Sequence, residues 1–113
     1  VYRAVTTIAT TVQQSGATGI AIFMPVHPLF RDAHAMRDFP EFLLDDAYVH
    51  AVAERVLGIY RAAGFVTFDR VDALPASAFI DYVHVNAAGM ETFSREMADL
   101  LTATIRRAHP PAP

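Results

Sequence analysis

The chain has 113 residues, 53% hydrophobic and 19% charged, so we expect one globular domain with a buried core. Its net charge of −3 comes without a basic stripe, which argues against a nucleic-acid partner. The absence of cysteine excludes disulfides and thiolate metal sites. The longest apolar run, Ile20–Val26, is far too short for a bilayer, so no membrane span is predicted.

The chain is predicted to begin with a helix that stops at Ser15-Gly16 and to continue into a strand. Four apolar residues at helical spacing mark the core face of this helix: Val1, Val5, Ile8 and Val12. Ile20–Met24 is then a continuous apolar run ended by Pro25, which is typical of a parallel strand buried on both faces. Pro25–Pro40 is predicted to be a long loop.

A second helix and a second strand follow. Asp45 or Asp46 can cap the helix, and Gly64 suits a left-handed residue after its end. The core face of this helix is Val49, Val52, Ala53, Val56 and Tyr60. Phe65–Asp69 is predicted to be the second strand. The strand–helix–strand order predicts two parallel strands joined by a right-handed crossover.

The last helix is predicted to start after Asn86, its N-cap residue. Its predicted core face is Met90, Phe93, Met97, Leu100, Leu101 and Ile105. Residues 1–108 are expected to form one α/β domain, with 109–113 as a frayed tail. Two parallel strands are few for a sheet buried on both faces, and the chain starts at Val1 rather than Met. We therefore expect the C-terminal half of a larger α/β sheet.

Asp81 and His84 are the residues whose spacing points most clearly to chemistry. They lie in the predicted loop after the second strand, at the edge where open α/β sheets bind ligands. The histidine can accept a proton, and the aspartate can orient the ring and stabilise the imidazolium. In the structural alternative, Asp81 caps a turn and His84 packs under it.

The stretch Phe79–Gly89, FIDYVHVNAAG, resembles the last sequence block of the SGNH (GDSL-like) hydrolase family. That block is DxxH, commonly followed by an Asn, a Gly and the C-terminal helix, and the order of predicted elements is similar too. The resemblance implies the C-terminal part of a parallel-sheet, three-layer α/β/α (flavodoxin-like) fold. It implies a serine esterase or O-acyltransferase acting on a small-molecule or carbohydrate ester. His84 would then be the general base and Asp81 its orienting partner, with no cofactor and no metal.

The family's nucleophile and oxyanion blocks have no counterpart in this chain. There is no GDS-type or GxND-type block, and the single Asn is Asn86. The serines are Ser15, Ser77 and Ser94. Ser77 precedes Asp81 by four residues but has no glycine-rich elbow around it. We therefore expect the nucleophile and oxyanion donors to lie upstream, and the isolated chain to have little activity.

The other histidines are weaker candidates. His27 either contacts the substrate or His84, or is a surface residue of a proline-stiffened loop. His27, Asp32 and His34 have metal-ligand chemistry, but their spacing matches no zinc pattern. His50, in the second helix, and His109, in the tail, are expected to have no special role.

Two other interpretations remain open. The chain can be a non-catalytic α/β module with a structural Asp81–His84 pair, which binds a protein partner or a second copy of itself through an exposed sheet edge. It can also be a piece of another doubly wound fold, such as a receiver-like or flavodoxin-like domain. The chain has no glycine-rich phosphate loop, so its sequence does not support nucleotide binding, which would favour that last interpretation.

Overall fold

The computed structural model describes residues 1–112, which form a mixed α/β protein. The helices and strands of that range are, in chain order, α1 (Tyr2–Ser15), β1 (Ile20–Phe23), α2 (Asp46–Ala62), β2 (Val66–Asp69) and α3 (Ala87–Ala108). Short 3₁₀ turns lie in the loops at Leu29–Arg31, Pro40–Phe42 and Ala76–Ala78. The order of helices and strands agrees with the sequence prediction.

The ends of α1 and α2 lie where the sequence signals predict them. Asp45 caps α2, because its carboxylate accepts a hydrogen bond from the Tyr48 N–H at 3.0 Å. Gly16 follows α1 with φ 77°, and Gly64 follows α2 with φ 88°. Both glycines adopt the left-handed conformation, which commonly ends a helix and which glycine adopts more readily than other residues. The chain can therefore turn back sharply into each strand.

The two strands pair in parallel, as predicted. The register runs from Ile20 opposite Val66 to Phe23 opposite Asp69. The pairing continues past the strand ends, where the Val26 N–H donates to the Val71 carbonyl at 3.0 Å. The loops that leave the carboxyl ends of β1 and β2 are therefore held side by side.

Helices pack on both faces of this small sheet. Ile22 contacts a buried cluster that includes Phe93 and Met97 of α3. The next residue, Phe23, contacts a second cluster that includes Ala53 of α2. Adjacent residues of a strand point to opposite faces, so α2 and α3 cover opposite sides of β1. α1 packs against α2.

The core faces of the outer helices differ from the prediction in detail. Ile8 of α1, and Met90 and Ile105 of α3, were predicted on core faces, but all three are more than half exposed. Thr104 is buried instead, and its hydroxyl donates to the Leu100 carbonyl at 2.9 Å. A threonine can be buried on a helix when its own backbone satisfies the hydroxyl, which apolar periodicity does not detect.

The molecule is thin and open. It measures 59 × 32 × 16 Å, and its radius of gyration is 16.5 Å, against about 13 Å for a compact chain of this length. Its accessible surface is 7509 Å², against about 6,100 Å² for a folded monomer of this mass. The strand β1, predicted to be buried, is only half-buried along its length, because in the described range it pairs with β2 alone. No helix within residues 1–112 is long and apolar enough to cross a membrane.

Candidate catalytic pair

Asp81 and His84 lie at the tip of a short antiparallel turn between β2 and α3. The Ile80 N–H donates to the His84 carbonyl at 2.7 Å, and Phe79 and Val85 form the next pair of the ladder. The Phe79 side chain is buried in the cluster under α3. Adjacent residues of a strand point to opposite faces, so the side chains of Ile80 and His84, next to Phe79 and Val85, point away from that cluster. Both are largely exposed.

Asn86 and Gly89 fix this turn to the start of α3. The Asn86 Oδ1 accepts from the Gly89 N–H at 2.9 Å, and its Nδ2 donates to the Ser77 carbonyl at 2.7 Å. A Cβ on Gly89 would lie 2.3 Å from the Ala78 carbonyl oxygen, so only glycine allows this approach. Asn86 therefore caps α3, as predicted from the sequence, and the close approach at Gly89 holds the turn against the helix.

The imidazole of His84 is oriented by the Asp81 carboxylate. The Nδ1 atom of His84 lies 2.9 Å from Oδ1 and 2.8 Å from Oδ2 of Asp81. Because an ionised carboxylate only accepts hydrogen bonds, Nδ1 must carry a proton. In the neutral ring this leaves a lone pair on Nε2, which has no partner among the described residues. The side chain is 73% exposed, so Nε2 is open to a proton donor from outside.

The same carboxylate also holds the backbone of the turn. Asp81 Oδ1 accepts from the His84 N–H at 2.9 Å and from the Val83 N–H at 3.1 Å. These two bonds, with the His84 imidazole third, hold the pKa of Asp81 below its usual value. Asp81 thus caps a turn, as the structural alternative has it, but His84 does not pack underneath and instead projects outward.

His27 supports this turn from below. The backbone N–H of His27 donates to the Tyr82 carbonyl at 2.8 Å, and the His27 ring lies 5.0 Å from the Phe79 ring. Its Nδ1 accepts from the Leu29 N–H at 3.2 Å. Because Nδ1 accepts this bond it carries no proton, and burial, and then the Arg31 charge, lower the pKa of His27 in the direction that favours the neutral ring. His27 is only 9% exposed, so the prediction that it is a surface residue is wrong.

The residues with metal-ligand chemistry in the long loop are not brought together. Asp32 Oδ1 accepts from the His34 N–H at 2.9 Å and so forms a local turn. The His27 ring is buried among aromatic side chains. Nowhere in residues 1–112 do three His, Asp or Glu side chains cluster closely enough to hold a metal ion.

None of the serines lies within hydrogen-bonding distance of His84 in the described part of the chain. Ser77 lies in the 3₁₀ turn, and its carbonyl is bound by Asn86. With Thr92 and others it lines a cavity of about 170 Å³ that His84 does not line. Ser15 and Ser94 lie in α1 and α3.

A second Asp–His contact is present that sequence reasoning missed. His50 bonds Asp72, and Arg31 contacts both Asp72 and Asp46. The spacing of Asp46 and His50, four residues apart on one helix, could have indicated one contact. Arg31 and Asp72 lie on separate loops, and nothing in the sequence indicates that these loops meet.

No family model, curated protein or solved structure matches this chain. The chemistry of the Asp81–His84 pair is therefore the basis for a proposed function. An imidazole held at Nδ1 by a carboxylate, with Nε2 open, can take a proton from a hydroxyl and return it to a leaving group.

Proposed function

We propose that this chain supplies the acid–base pair of an SGNH-type serine ester hydrolase or O-acyltransferase. The observation that carries the proposal is the orientation of His84, whose Nδ1 is bound by Asp81 while Nε2 is open. The order of Asp81, His84, Asn86 and Gly89 resembles the last block of that family. The serine nucleophile and the oxyanion donors would come from residues outside this 113-residue chain.

In the proposed reaction, His84 moves a proton twice. Its Nε2 takes the proton of the serine hydroxyl as the oxygen attacks the ester carbonyl, and the imidazolium then protonates the leaving alcohol. Water or a second alcohol resolves the acyl-enzyme by the same steps in reverse, which gives hydrolysis or acyl transfer. The ionised Asp81 keeps the ring in the tautomer with Nδ1 protonated and stabilises the imidazolium.

We also propose that the fold is the C-terminal part of a three-layer α/β/α sheet. The parallel register of β1 and β2, and helices on both faces of β1, support this architecture. So does the half-burial of β1, because a parallel strand is normally covered on both faces and both edges. The catalytic pair then lies beyond the carboxyl ends of the strands, where such folds bind ligands.

Hydrolysis of p-nitrophenyl acetate by the complete polypeptide that carries these residues tests the proposed function. We expect His84→Ala to lower kcat by about 10²- to 10⁴-fold, the usual contribution of a general base. Ser77→Ala and His34→Ala are the matched controls and should retain activity. Full activity in His84→Ala would overturn the proposal. Loss of activity in Ser77→Ala would place the nucleophile within this chain.

The open edge of β1 favours a second candidate, a non-catalytic module that binds a protein partner through that edge. In the described range, the outer edge of β1 has no strand beside it. Under this alternative the Asp81–His84 pair is structural. Its distinguishing result is a complete polypeptide without ester hydrolysis, in which His84→Ala leaves partner binding unchanged.

A further inference from the structure

His50, near the start of α2, has an acceptor at each ring nitrogen. Its Nδ1 lies 2.9 Å from the Asp46 carbonyl oxygen, and its Nε2 lies 3.0 Å from Asp72 Oδ2. A carbonyl and an ionised carboxylate can only accept, so both bonds form only when both nitrogens carry hydrogen. A neutral imidazole would turn one lone pair towards an oxygen. The geometry therefore fits the imidazolium.

Arg31 joins the same acidic groups from the long loop. Its side chain is only 6% exposed, it contacts Asp46, and it lies 2.8 Å from Asp72. It also donates to the Val26 carbonyl at 3.2 Å. The cluster thus ties together the long loop, the first turn of α2 and the loop after β2. The charged groups that face His50 are Asp46 on its own helix, Asp72 on the loop after β2, and Arg31 beside both.

The charge balance of this cluster depends on His50. Two carboxylates face one permanently charged guanidinium, so the cluster has a net charge of −1 when His50 is neutral and zero when it is protonated. Loss of the proton removes the positive charge of His50 from beside Asp72, and it leaves a ring lone pair facing either the Asp72 carboxylate or the Asp46 carbonyl. Arg31 is then the one cation that still contacts Asp72 in this cluster.

The segment held by Arg31 in turn contacts the turn that carries Asp81 and His84. Phe30, next to Arg31, places its ring 4.1 Å from the Tyr82 ring. His27, four residues before Arg31, donates its N–H to the Tyr82 carbonyl at 2.8 Å. Tyr82 lies between the two residues of the candidate catalytic pair, so the position of this segment sets the position of that pair.

We propose that Arg31, Asp46, His50 and Asp72 form a proton-dependent clasp that positions the Asp81–His84 turn, closed when His50 is protonated and loosened when it is neutral. The clasp is a property of this chain's own contacts and does not require the proposed esterase function. Its catalytic consequence, a pH-dependent positioning of His84, does rest on that function.

The electrostatics of the cluster agree with this assignment. The bond to Asp72, and then the bond to the Asp46 carbonyl, raise the pKa of His50, while its partial burial opposes them. The His50 bond is also the main cause that lowers the pKa of Asp72. A raised histidine pKa gives stability that is full below about pH 6.5 and is lost as pH rises through the folded-state value. A lowered aspartate pKa gives stability lost on acidification, so the clasp is strongest between about pH 4 and 6.5.

NMR on the whole chain tests the clasp. We expect His50 to titrate above the usual value of about 6.5. We also expect the protection factor of the His27 amide hydrogen to fall about two- to fivefold between pH 6 and pH 8, the range of an exposed ion pair. His50→Gln should remove this pH dependence. His34→Gln, on an exposed histidine of the same long loop, should leave it unchanged.

Three results would overturn the proposal. They are a His50 pKa at or below the usual value, a pH dependence that persists in His50→Gln, or one that His34→Gln abolishes. If His50→Gln does not fold, Asp72→Asn is the second variant. It removes the carboxylate charge that faces His50, at a more exposed position, and should lower the His50 pKa. An unchanged His50 pKa in Asp72→Asn would equally contradict the clasp. Ester hydrolysis enters none of these measurements, so a failure of the esterase proposal is distinguishable from a failure of this one.

Discussion

Asp81 and His84 have separable roles that substitution can resolve. The Asp81 carboxylate binds two backbone N–H groups of its turn, whereas the His84 ring is largely exposed and bonds Asp81 alone in the described structure. We predict that Asp81→Ala lowers Tm by a few degrees, because two backbone donors lose their acceptor. His84→Ala should leave Tm unchanged. Thermal unfolding followed by circular dichroism measures both.

Asp81→Asn is the control for this comparison. The amide oxygen can still accept from the Val83 and His84 N–H groups, so this variant should lie between wild type and Asp81→Ala. A His84→Ala variant as destabilised as Asp81→Ala would make the pair structural and would contradict the separation of roles.

Asp81 should contribute to the loss of folding stability at acidic pH. The backbone N–H groups of His84 and Val83 hold its pKa below the usual value of about 3.9. A lowered carboxyl pKa contributes stability above that usual value, which is lost as pH falls through the folded-state pKa. We predict that Asp81→Asn flattens the loss of stability between about pH 4 and pH 2. Urea unfolding at a series of pH values measures it, and an unchanged slope would contradict the bonding pattern.

At the scale of elements, the contact between α3 and the turn depends on Gly89. A methyl group there would meet the Ala78 carbonyl oxygen at 2.3 Å. We predict that Gly89→Ala lowers the free energy of unfolding by about 1–3 kcal/mol, as overpacking of a close contact does. The matched control is Gly58→Ala in α2, where nothing lies within 4 Å of the added Cβ.

Gly58→Ala should stabilise the chain by up to about 1 kcal/mol, since alanine is the better helix former. Urea unfolding of the two variants side by side gives the comparison. Equal effects of the two substitutions would contradict the close contact between Gly89 of α3 and the Ala78 carbonyl.

At the scale of the molecule, the open shape predicts association. The accessible surface of 7509 Å² exceeds that of a compact monomer by about 1,400 Å², and the outer edge of β1 is free within residues 1–112. We predict that the isolated chain self-associates or unfolds with low cooperativity, because an apolar edge strand attracts further strands. Sedimentation velocity across a concentration series measures this. A monomer at all concentrations that unfolds cooperatively would contradict the prediction.

Local sequence signals predicted the helices and strands, but they did not predict the contacts between loops that are distant in the sequence. Apolar periodicity, the Asp45 and Asn86 caps and the left-handed glycines predicted the order and ends of helices and strands. The Asp81–His84 contact was predictable because the two residues lie three positions apart in one turn. The burial of His27 and the contacts of Arg31 with Asp72 were not, since they join loops far apart in the sequence.

The tautomer of the neutral His84 ring, measured by long-range ¹⁵N–¹H correlation, tests most directly whether Asp81 orients this histidine as a base. We predict a protonated Nδ1, held by the Asp81 carboxylate, and an unprotonated Nε2 that is free to act as a base. Asp81→Asn should remove this preference. A ring protonated at Nε2 in the wild type, or a preference that Asp81→Asn leaves unchanged, would contradict His84 as a base oriented by Asp81.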